Sequence, residues 1–283
     1  MIEGLALPRR YRGQRVNVHL LVGGLLLLGF AILAVLGPAI APYDPFSQDL
    51  LATLSPPSRE HWLGADQVGR DIFSRVILGA RYTLSVALVS VALAGIIGVM
   101  MGATAGYFEG WADRLITGFV DLLLTVPNLV LAIAIASAVG ASILGLTLAI
   151  TASFVPAVAR LVRSRVLELR EEDFVSAATT IGMSQWRVLW RHVLPNASNV
   201  VIVETSLLAG QAVLVGSALG FIGLGVQPPA PEWGAMLGSS RDVLEVAPHL
   251  VVAPGLAISV LIFAFNTFGD GLRDRFDPKT RHG

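Results

Sequence analysis

Six apolar stretches of roughly 20 residues dominate this sequence and restrict the folds available to it. A helix of about 20 residues crosses the roughly 30 Å hydrocarbon core of a bilayer and satisfies its own backbone hydrogen bonds there. The chain is 54% hydrophobic and 14% charged, with a mean hydropathy of +0.70. These features predict an all-α integral membrane protein. The predicted spans are residues 18–40, 82–106, 115–139, 144–161, 200–225 and 250–268.

Positive charges predict the orientation of these spans, because Lys and Arg in short loops stay on the cytoplasmic side. Six crossings place both chain termini and the segment between the fourth and fifth spans in the cytoplasm. The first span is too long for a removable signal peptide, so we expect it in the mature protein. The basic residues behind this assignment are Arg9, Arg10, Arg12, Arg15, Arg163, Arg165, Arg170, Arg187, Arg191, Arg273, Arg275, Lys279 and Arg281.

The outer loop between the first two spans carries a regular charge pattern. Asp66 with Arg70, and Asp71 with Arg75, stand four residues apart, which indicates an ordered interfacial helix. His61 has no companion at metal-ligand spacing and is predicted to be a surface residue. The predicted divisions of the chain are a cytoplasmic segment (1–17), the first transmembrane helix (18–40), the outer loop (41–81), a transmembrane core (82–268) and a cytoplasmic tail (269–283).

A polar stretch, residues 171–196, interrupts the apolar sequence and reads as two short amphipathic helices. Asp173 is the predicted N-cap of the first helix, and Gly182 can take the left-handed conformation that turns the chain. Ser184 is the predicted N-cap of the second helix, and Pro195 is predicted to end it. The two apolar faces comprise Phe174, Ala177, Ala178 and Ile181, then Trp186, Leu189, Trp190, Val193 and Leu194.

Composition excludes several classes of function. The chain has no Cys, so disulfides, thiolate metal sites and thiol catalysis are excluded. Its formal net charge is +0, which gives no reason to expect nucleic acid as a partner. No nucleotide-binding sequence GxxxxGK[ST] occurs, so any nucleotide must be bound by another chain. The spans also lack a catalytic pair such as Ser with His.

Two carboxylates fall inside the predicted spans, Asp121 and Glu204. A carboxylate in a membrane is a functional hypothesis by default, because burying its charge in lipid is unfavourable. Both lie near a cytoplasmic helix end, where they can reach the interface or pair with arginines such as Arg160 and Arg163. We therefore interpret both as structural residues.

Small and kink-forming residues predict how the spans pack. Gly98, Gly102 and Gly106 recur every fourth residue, a spacing that lets helix backbones approach closely. Pro127 and Pro156 fall within or near spans and are predicted to bend them, because proline removes a backbone hydrogen bond.

Five long motifs, in order along the chain, carry a resemblance to a known family. They are HWLGADQVGRDIFSRVILGAR (61–81), DLLLTVPNLVLAI (121–133), the polar stretch through RHVLPN (191–196), GFIGLGVQPPAPEWGAML (220–237) and APGLAISVLIFAFNTFGDGLRDRFDP (253–278). The chain resembles the inner-membrane permease subunits of the dipeptide/oligopeptide (peptide/nickel/opine) class of ABC importers. Within that class it is similar to the shorter of the two subunits that form a heterodimeric pore.

The resemblance implies a type I ABC importer permease fold in which residues 164–197 form a cytoplasmic coupling loop. Ala177, Ala178 and Gly182 match the signature of that loop, and Ser176 stands at its usual glutamate, so Glu171, Glu172 and Asp173 are the expected acidic substitutes. The loop is expected to dock on an ATPase through Trp186 and Trp190, and neither Gly182 nor Trp190 is expected to touch a span. The residues implied are Phe174, Ser176, Ala177, Ala178, Gly182, Trp186, Arg187, Trp190, Arg191, His192 and Pro195.

The resemblance also implies partners and a location. These are a second homologous permease subunit, two cytoplasmic ATPases that hold ATP and Mg²⁺, a periplasmic or lipid-anchored substrate-binding protein, and the inner membrane of a prokaryote. No catalytic residue, metal or cofactor is expected in this chain. The class serves dipeptides, oligopeptides, haem, nickel chelates or opines. Gly216 and Gly220 replace the acidic residue and serine common in relatives, so no substrate contact is transferred to that stretch, and the substrate pathway stays unassigned.

Two other classes remain as alternatives. An ion-coupled secondary transporter or channel would bind ions near the membrane midplane and work without an ATPase. A polytopic membrane enzyme would need catalytic side chains at depth. The Trp-bearing polar stretch favours the ATP-driven importer.

Overall fold

The computed structural model describes residues 17–276, and within that range the chain forms α-helices and no β-strand. The all-α prediction is therefore confirmed. The predictions made for Arg9, Arg10, Arg12, Arg15, Lys279 and Arg281 lie outside the described residues. The helices are α1 (Val18–Ile40), α2 (Ile72–Tyr107), α3 (Trp111–Leu124), α4 (Asn128–Val139), α5 (Ile143–Arg170), α6 (Asp173–Thr180), α7 (Gln185–Val188), α8 (Leu194–Phe221), α9 (Trp233–Ser240) and α10 (His249–Phe276).

Five continuous helical segments in the described range are long and apolar enough to cross a membrane: α1, α2, α5, the run Gln185–Phe221 and α10. The third predicted span is wrong as a single helix. It consists of α3 and α4, whose axes differ by 94°, and it supplies a sixth crossing only if both halves count as one span. Pro127 explains the break, because its ring has no N–H and clashes with the preceding turn. Pro156, by contrast, lies inside a continuous α5.

The core of the bundle is the contact between α2 and α5. A side-chain carbon added at Gly98 would lie 2.6 Å from Cβ of Val158, and one added at Gly106 would lie 2.8 Å from the carbonyl oxygen of Arg163. Only glycine allows the backbones to approach this closely. The predicted small-residue packing is therefore confirmed, and α1 packs outside this core against α2 and α10.

The outer loop is held by a buried arginine rather than by an interfacial helix. Residues 66–70 lie in the loop, and α2 begins only at Ile72. Arg70 pairs with Asp66 as predicted, with 2.6 Å between Nε and Oδ2. The predicted pair of Asp71 with Arg75 is wrong: the Arg75 guanidinium lies 3.6 Å from Asp66 and donates to the carbonyl of Pro45 at 3.0 Å. Arg75 therefore ties the loop to the first turn of α2.

Asp71 is the N-cap of α2 and accepts hydrogen bonds from the backbone N–H of Ser74 at 2.7 Å and from its hydroxyl at 2.6 Å. The same carboxylate lies 2.9 Å from Nδ1 of His61. His61 was predicted to be a surface residue, and this is wrong, because its side chain is only 16% exposed. The sequence does not indicate this burial, because the fold of the loop brings Asp71 next to His61.

Glu232 fixes the short helix α9 between α8 and α10. It is 2% exposed and accepts hydrogen bonds from the backbone N–H groups of Gly234 and Ala235, at 2.9 and 2.8 Å, and from the hydroxyl of Thr83. Burial raises the pKa of the Glu232 carboxyl, although the backbone N–H groups oppose that rise. A side-chain carbon added at Gly220 would lie 2.6 Å from this carboxylate, so α8 packs tightly against the start of α9.

Candidate coupling hairpin

The polar stretch forms the predicted helix, turn and helix. The first helix is α6, and the second begins at Gln185. Gly182 between them has φ +85°, the left-handed conformation expected of it. Ser184 is the N-cap of the second helix as predicted, but the first N-cap is Glu172, one residue before the predicted Asp173. Residues 171–196 are called the hairpin below.

The prediction that Pro195 ends the second helix is wrong. Gln185–Phe221 is one helical run, in which Leu189–Val193 is π-helical and Pro195 lies in the first turn of α8. The wider π-helical turn changes the hydrogen-bond register just where the proline lacks an N–H, so the chain continues as a helix. Nδ2 of Asn196 also donates to the carbonyl of His192 at 2.6 Å. The hairpin is therefore continuous with a membrane-spanning helix.

The hairpin has an inner face that packs against the bundle and an outer face that does not. The inner face comprises Val175, Ala178, Val188, Leu189 and Val193, all buried. Of these, Val175 and Val188 were missed by sequence reasoning; Val175 stands three residues before Ala178, a spacing that could have indicated it.

The outer face of the hairpin is apolar at its tip. Phe174 is 38% exposed, Trp186 55% and Ile181, beside the turn, 78%. Ser176 and Ala177 are exposed next to them, as are the acidic residues 171–173. Large apolar side chains on an otherwise polar segment are typical of a protein interface.

The two tryptophans of the hairpin have different surroundings. The Trp186 ring packs on Phe108, the C-cap of α2, with 4.7 Å between ring centroids. Trp190 lines a groove of about 750 Å³ together with Leu27 of α1 and Phe265 of α10. The expectation that Trp190 touches no span is wrong, because Trp190 lies within the continuous span-length helical run Gln185–Phe221. Trp190 is 55% exposed, as Trp186 is, but it borders the groove between the membrane helices.

The basic residues of the hairpin are available for contact. Arg187 and Arg191 are exposed, and neither forms an ion pair with any residue in the range 17–276. His192 is half-buried. Exposed arginines beside an aromatic side chain are frequent at protein interfaces.

Of the two carboxylates in the predicted spans, Asp121 forms the predicted ion pair with an arginine and Glu204, among residues 17–276, does not. Asp121 pairs with Arg160 across α3 and α5, at 2.5 Å, as predicted. Arg163 instead donates two hydrogen bonds to Asp113, at 2.7 and 2.8 Å. Glu204 is half-buried and has no ion-pair partner in the described part of the chain, so the pairing proposed for it is not observed. The described residues contain no cluster of His, Asp and Glu able to hold a metal ion.

The helical core and the hairpin both lie within a stretch of sequence that matches a known family. Residues 94–282 match a family described as binding-protein-dependent transport system inner membrane component. The chain belongs to this family. Residues 15–57 match a second description, the N-terminal TM domain of oligopeptide transport permease C. The chain is thus a permease subunit of the binding-protein-dependent family, and its α1 falls within the match to the N-terminal TM domain.

Curated relatives of this permease cover almost its whole length. It is 40% identical to the glutathione transport system permease protein GsiD of Pectobacterium atrosepticum over 276 residues, which is 96% of this chain and 90% of the relative. It is 41% identical to the dipeptide transport system permease protein DppC of Alkalihalophilus pseudofirmus over 271 residues, which is 96% of this chain and 89% of the relative.

A solved structure of an inward-facing MetNI methionine ABC transporter matches the fold of this permease with a TM-score of 0.59 at 17% identity. The match covers 72% of this chain and 97% of the other. The predicted type I ABC importer permease fold is therefore confirmed.

Proposed function

We propose that this permease forms half of a heterodimeric pore and that its hairpin docks on a separate ATPase. The observation that carries this proposal is the exposed apolar tip, Phe174, Ile181 and Trp186, on a hairpin continuous with α8. Arg187 and Arg191, which lack ion-pair partners in the described chain, can pair with acidic groups of the ATPase.

Continuity of the helix supplies the mechanical link. A displacement of the hairpin by the ATPase moves the run Gln185–Phe221 as a body, because no loop separates the two. The inner face of the hairpin also carries the movement to the bundle through Val188 and Leu189, which are fully buried. The pore conformation changes only to the extent that the ATPase binds the hairpin differently in its two states.

The remaining parts of the transporter are supplied by other chains. ATP and Mg²⁺ belong to the ATPase subunits, since this sequence has no phosphate-binding loop. A substrate-binding protein delivers the ligand on the other side of the membrane. Both termini and the hairpin lie in the cytoplasm of a prokaryote, in accord with the positive-inside rule. The names of the relatives support a small peptide as the substrate.

The docking proposal is tested with two residues of equal exposure at opposite ends of the bundle. Ile181 at the hairpin tip is 78% exposed, and Val246, just before α10, is 77% exposed. We expect Ile181→Asp to abolish both co-purification of the ATPase and substrate uptake, because it places a charge in the apolar contact. Val246→Asp is the control and should keep both. Equal retention of the ATPase by the two variants would refute the assignment of the hairpin.

A further inference from the structure

A mixed polar and apolar cavity of about 800 Å³ lies at the end of the bundle away from the hairpin. Its walls are the C-terminal end of α1 with residues 41–46, the part of α2 from Leu78 to Val86, and Ile143 at the start of α5. Its polar side chains are Arg81, Tyr82, Ser85, Tyr43 and Asp44.

The cavity lies at the level of one membrane surface. Arg81 is the last charged residue of α2, and the rest of the helix, to Tyr107, is about 39 Å long at 1.5 Å per residue. That length covers the hydrocarbon core, so Arg81 stands at its boundary. Tyr43 and Tyr82 are the residue type enriched at membrane interfaces. Phospholipid headgroups occupy this depth.

The charged side chains of the cavity, Arg81 and Asp44, form no ion pair with each other or with another residue in the range 17–276. Arg81 is exposed and forms no ion pair or hydrogen bond with any residue in the range 17–276. The carboxylate of Asp44 accepts one hydrogen bond, at 2.9 Å from the N–H of Phe46 to Oδ1, and forms no ion pair in the same range. The neighbouring arginines 70 and 75 both pair with Asp66. The cavity therefore offers a cation and an anion to a ligand that carries both charges.

We propose that this cavity binds the headgroup of an aminophospholipid. Arg81 binds the phosphate, because a guanidinium matches phosphate oxygens, with hydroxyls of Tyr82 and Ser85 as further donors. The carboxylate of Asp44 accepts hydrogen bonds from the primary ammonium. Leu78, Val86 and Ile143 contact the glycerol and the start of the acyl chains.

Chemistry distinguishes this ligand from other lipids. Phosphatidylglycerol has no ammonium and places its negative headgroup beside Asp44. Phosphatidylcholine has an ammonium without N–H donors, so it cannot hydrogen-bond to the carboxylate. A free dipeptide also carries an ammonium and an anion, but it would leave the apolar wall of the cavity without contact. The assignment of the lipid to the outer leaflet rests on the proposed function, which includes the orientation of the chain. The choice of headgroup does not depend on that orientation.

Lipid titration followed by native mass spectrometry tests the site. The full chain, purified with its partner subunits and delipidated, is titrated with dioleoyl phosphatidylethanolamine, phosphatidylglycerol or phosphatidylcholine. We expect the first phosphatidylethanolamine to bind about 10-fold more tightly than the other two. Arg81→Gln should weaken it about 10-fold, and Asp44→Asn should remove the preference among the three lipids. Arg241→Gln and Asp242→Asn are matched controls, because this exposed pair lies outside the cavity.

The outcomes separate the possibilities. A wild type without preference for phosphatidylethanolamine, or an affinity unchanged by Arg81→Gln, overturns the proposal. Displacement of the lipid by millimolar dialanine also overturns it and assigns the cavity to a soluble amino acid derivative. If Arg81→Gln fails to assemble, Arg81→Lys keeps the charge and should bind phosphatidylethanolamine with only a modest loss. The measurement needs no ATP, so its failure leaves the hairpin proposal standing, and failure of ATPase docking leaves the lipid site standing.

Discussion

Replacing Gly102 with alanine tests the close approach of α2 and α5 in quantitative terms. A Cβ at this position would lie 2.9 Å from Cβ of Val162, 3.0 Å from the backbone nitrogen of Arg163, and closer still to the carbonyl oxygen of Ala159. Ordinary contact begins at 3.4 Å, so the helices would have to separate by at least about 0.5 Å (3.4 − 2.9). The obstacle includes backbone atoms, which cannot rotate away as a side chain can.

The magnitude follows from two opposing effects. Overpacking a tight interface costs about 1–3 kcal/mol, and the backbone clash places Gly102→Ala at the upper end of that range. Alanine recovers about 0.5–1 kcal/mol because it restricts the unfolded chain more than glycine does. The net loss is about 2 kcal/mol, which corresponds to a fall in Tm of about 4–8 °C for a chain of this size.

Gly118→Ala in α3 is the matched control, because no atom lies within 4 Å of the added carbon. Only the gain in helix propensity remains there, so Tm should rise by about 1–4 °C. The assay is thermal unfolding of the purified variants in lipid nanodiscs. Shifts of equal sign and size in the two variants would refute the packing argument.

Three further changes test the hairpin and α9. Gly182→Pro should abolish ATPase retention without affecting membrane insertion, because φ +85° is closed to proline; Gly182→Ala should lose about 1–2 kcal/mol of local stability and retain some ATPase. Trp190→Asp should lower Tm more than Trp186→Asp does, since only Trp190 lines the groove between spans; a larger fall for Trp186→Asp contradicts that placement. For Glu232, the folded-state pKa is raised above the unfolded value of 4.5, so its contribution to stability is greatest at low pH and declines as pH rises from 4.5 towards the folded pKa. Glu232→Gln should remove this decline, and identical dependence of Tm on pH in both proteins would show that the carboxyl is not its source.

The sequence predicts most of the spans because burial in lipid requires length and apolarity, and both are local properties. Apolar stretches correctly indicate α1, α5 and α10. The glycines that recur at every fourth residue of α2 correctly indicate its close packing, which is against α5. The corner at Pro127 is larger than the predicted bend, since the angle between α3 and α4 depends on their contacts with α2 and α5. Proline alone does not determine an angle, as the continuous α5 at Pro156 shows.

The hairpin shows the same division between local and tertiary information. Periodicity indicates its two helices, and Gly182 indicates its turn. Periodicity cannot indicate which apolar residues face the bundle: Leu189 and Val193 are buried, whereas Ile181 is exposed. The π-helical turn that carries the chain past Pro195 also has no sequence signature that distinguishes it from a helix end, because it depends on the packing of neighbouring helices.

The corner between α3 and α4 determines what can surround it. At 12 residues, α4 is about 18 Å long, and the short connection 140–142 keeps its C-terminal end level with the start of α5. With α4 along the membrane normal, we expect the corner at residues 125–127 to lie inside the hydrocarbon thickness, and Thr125 and Pro127 are exposed in this subunit. Lipid tails cannot solvate the carbonyl groups of a non-helical backbone. In the assembled transporter we expect these residues to face water or another protein chain, and the corner to mark a side of the subunit from which acyl chains are excluded.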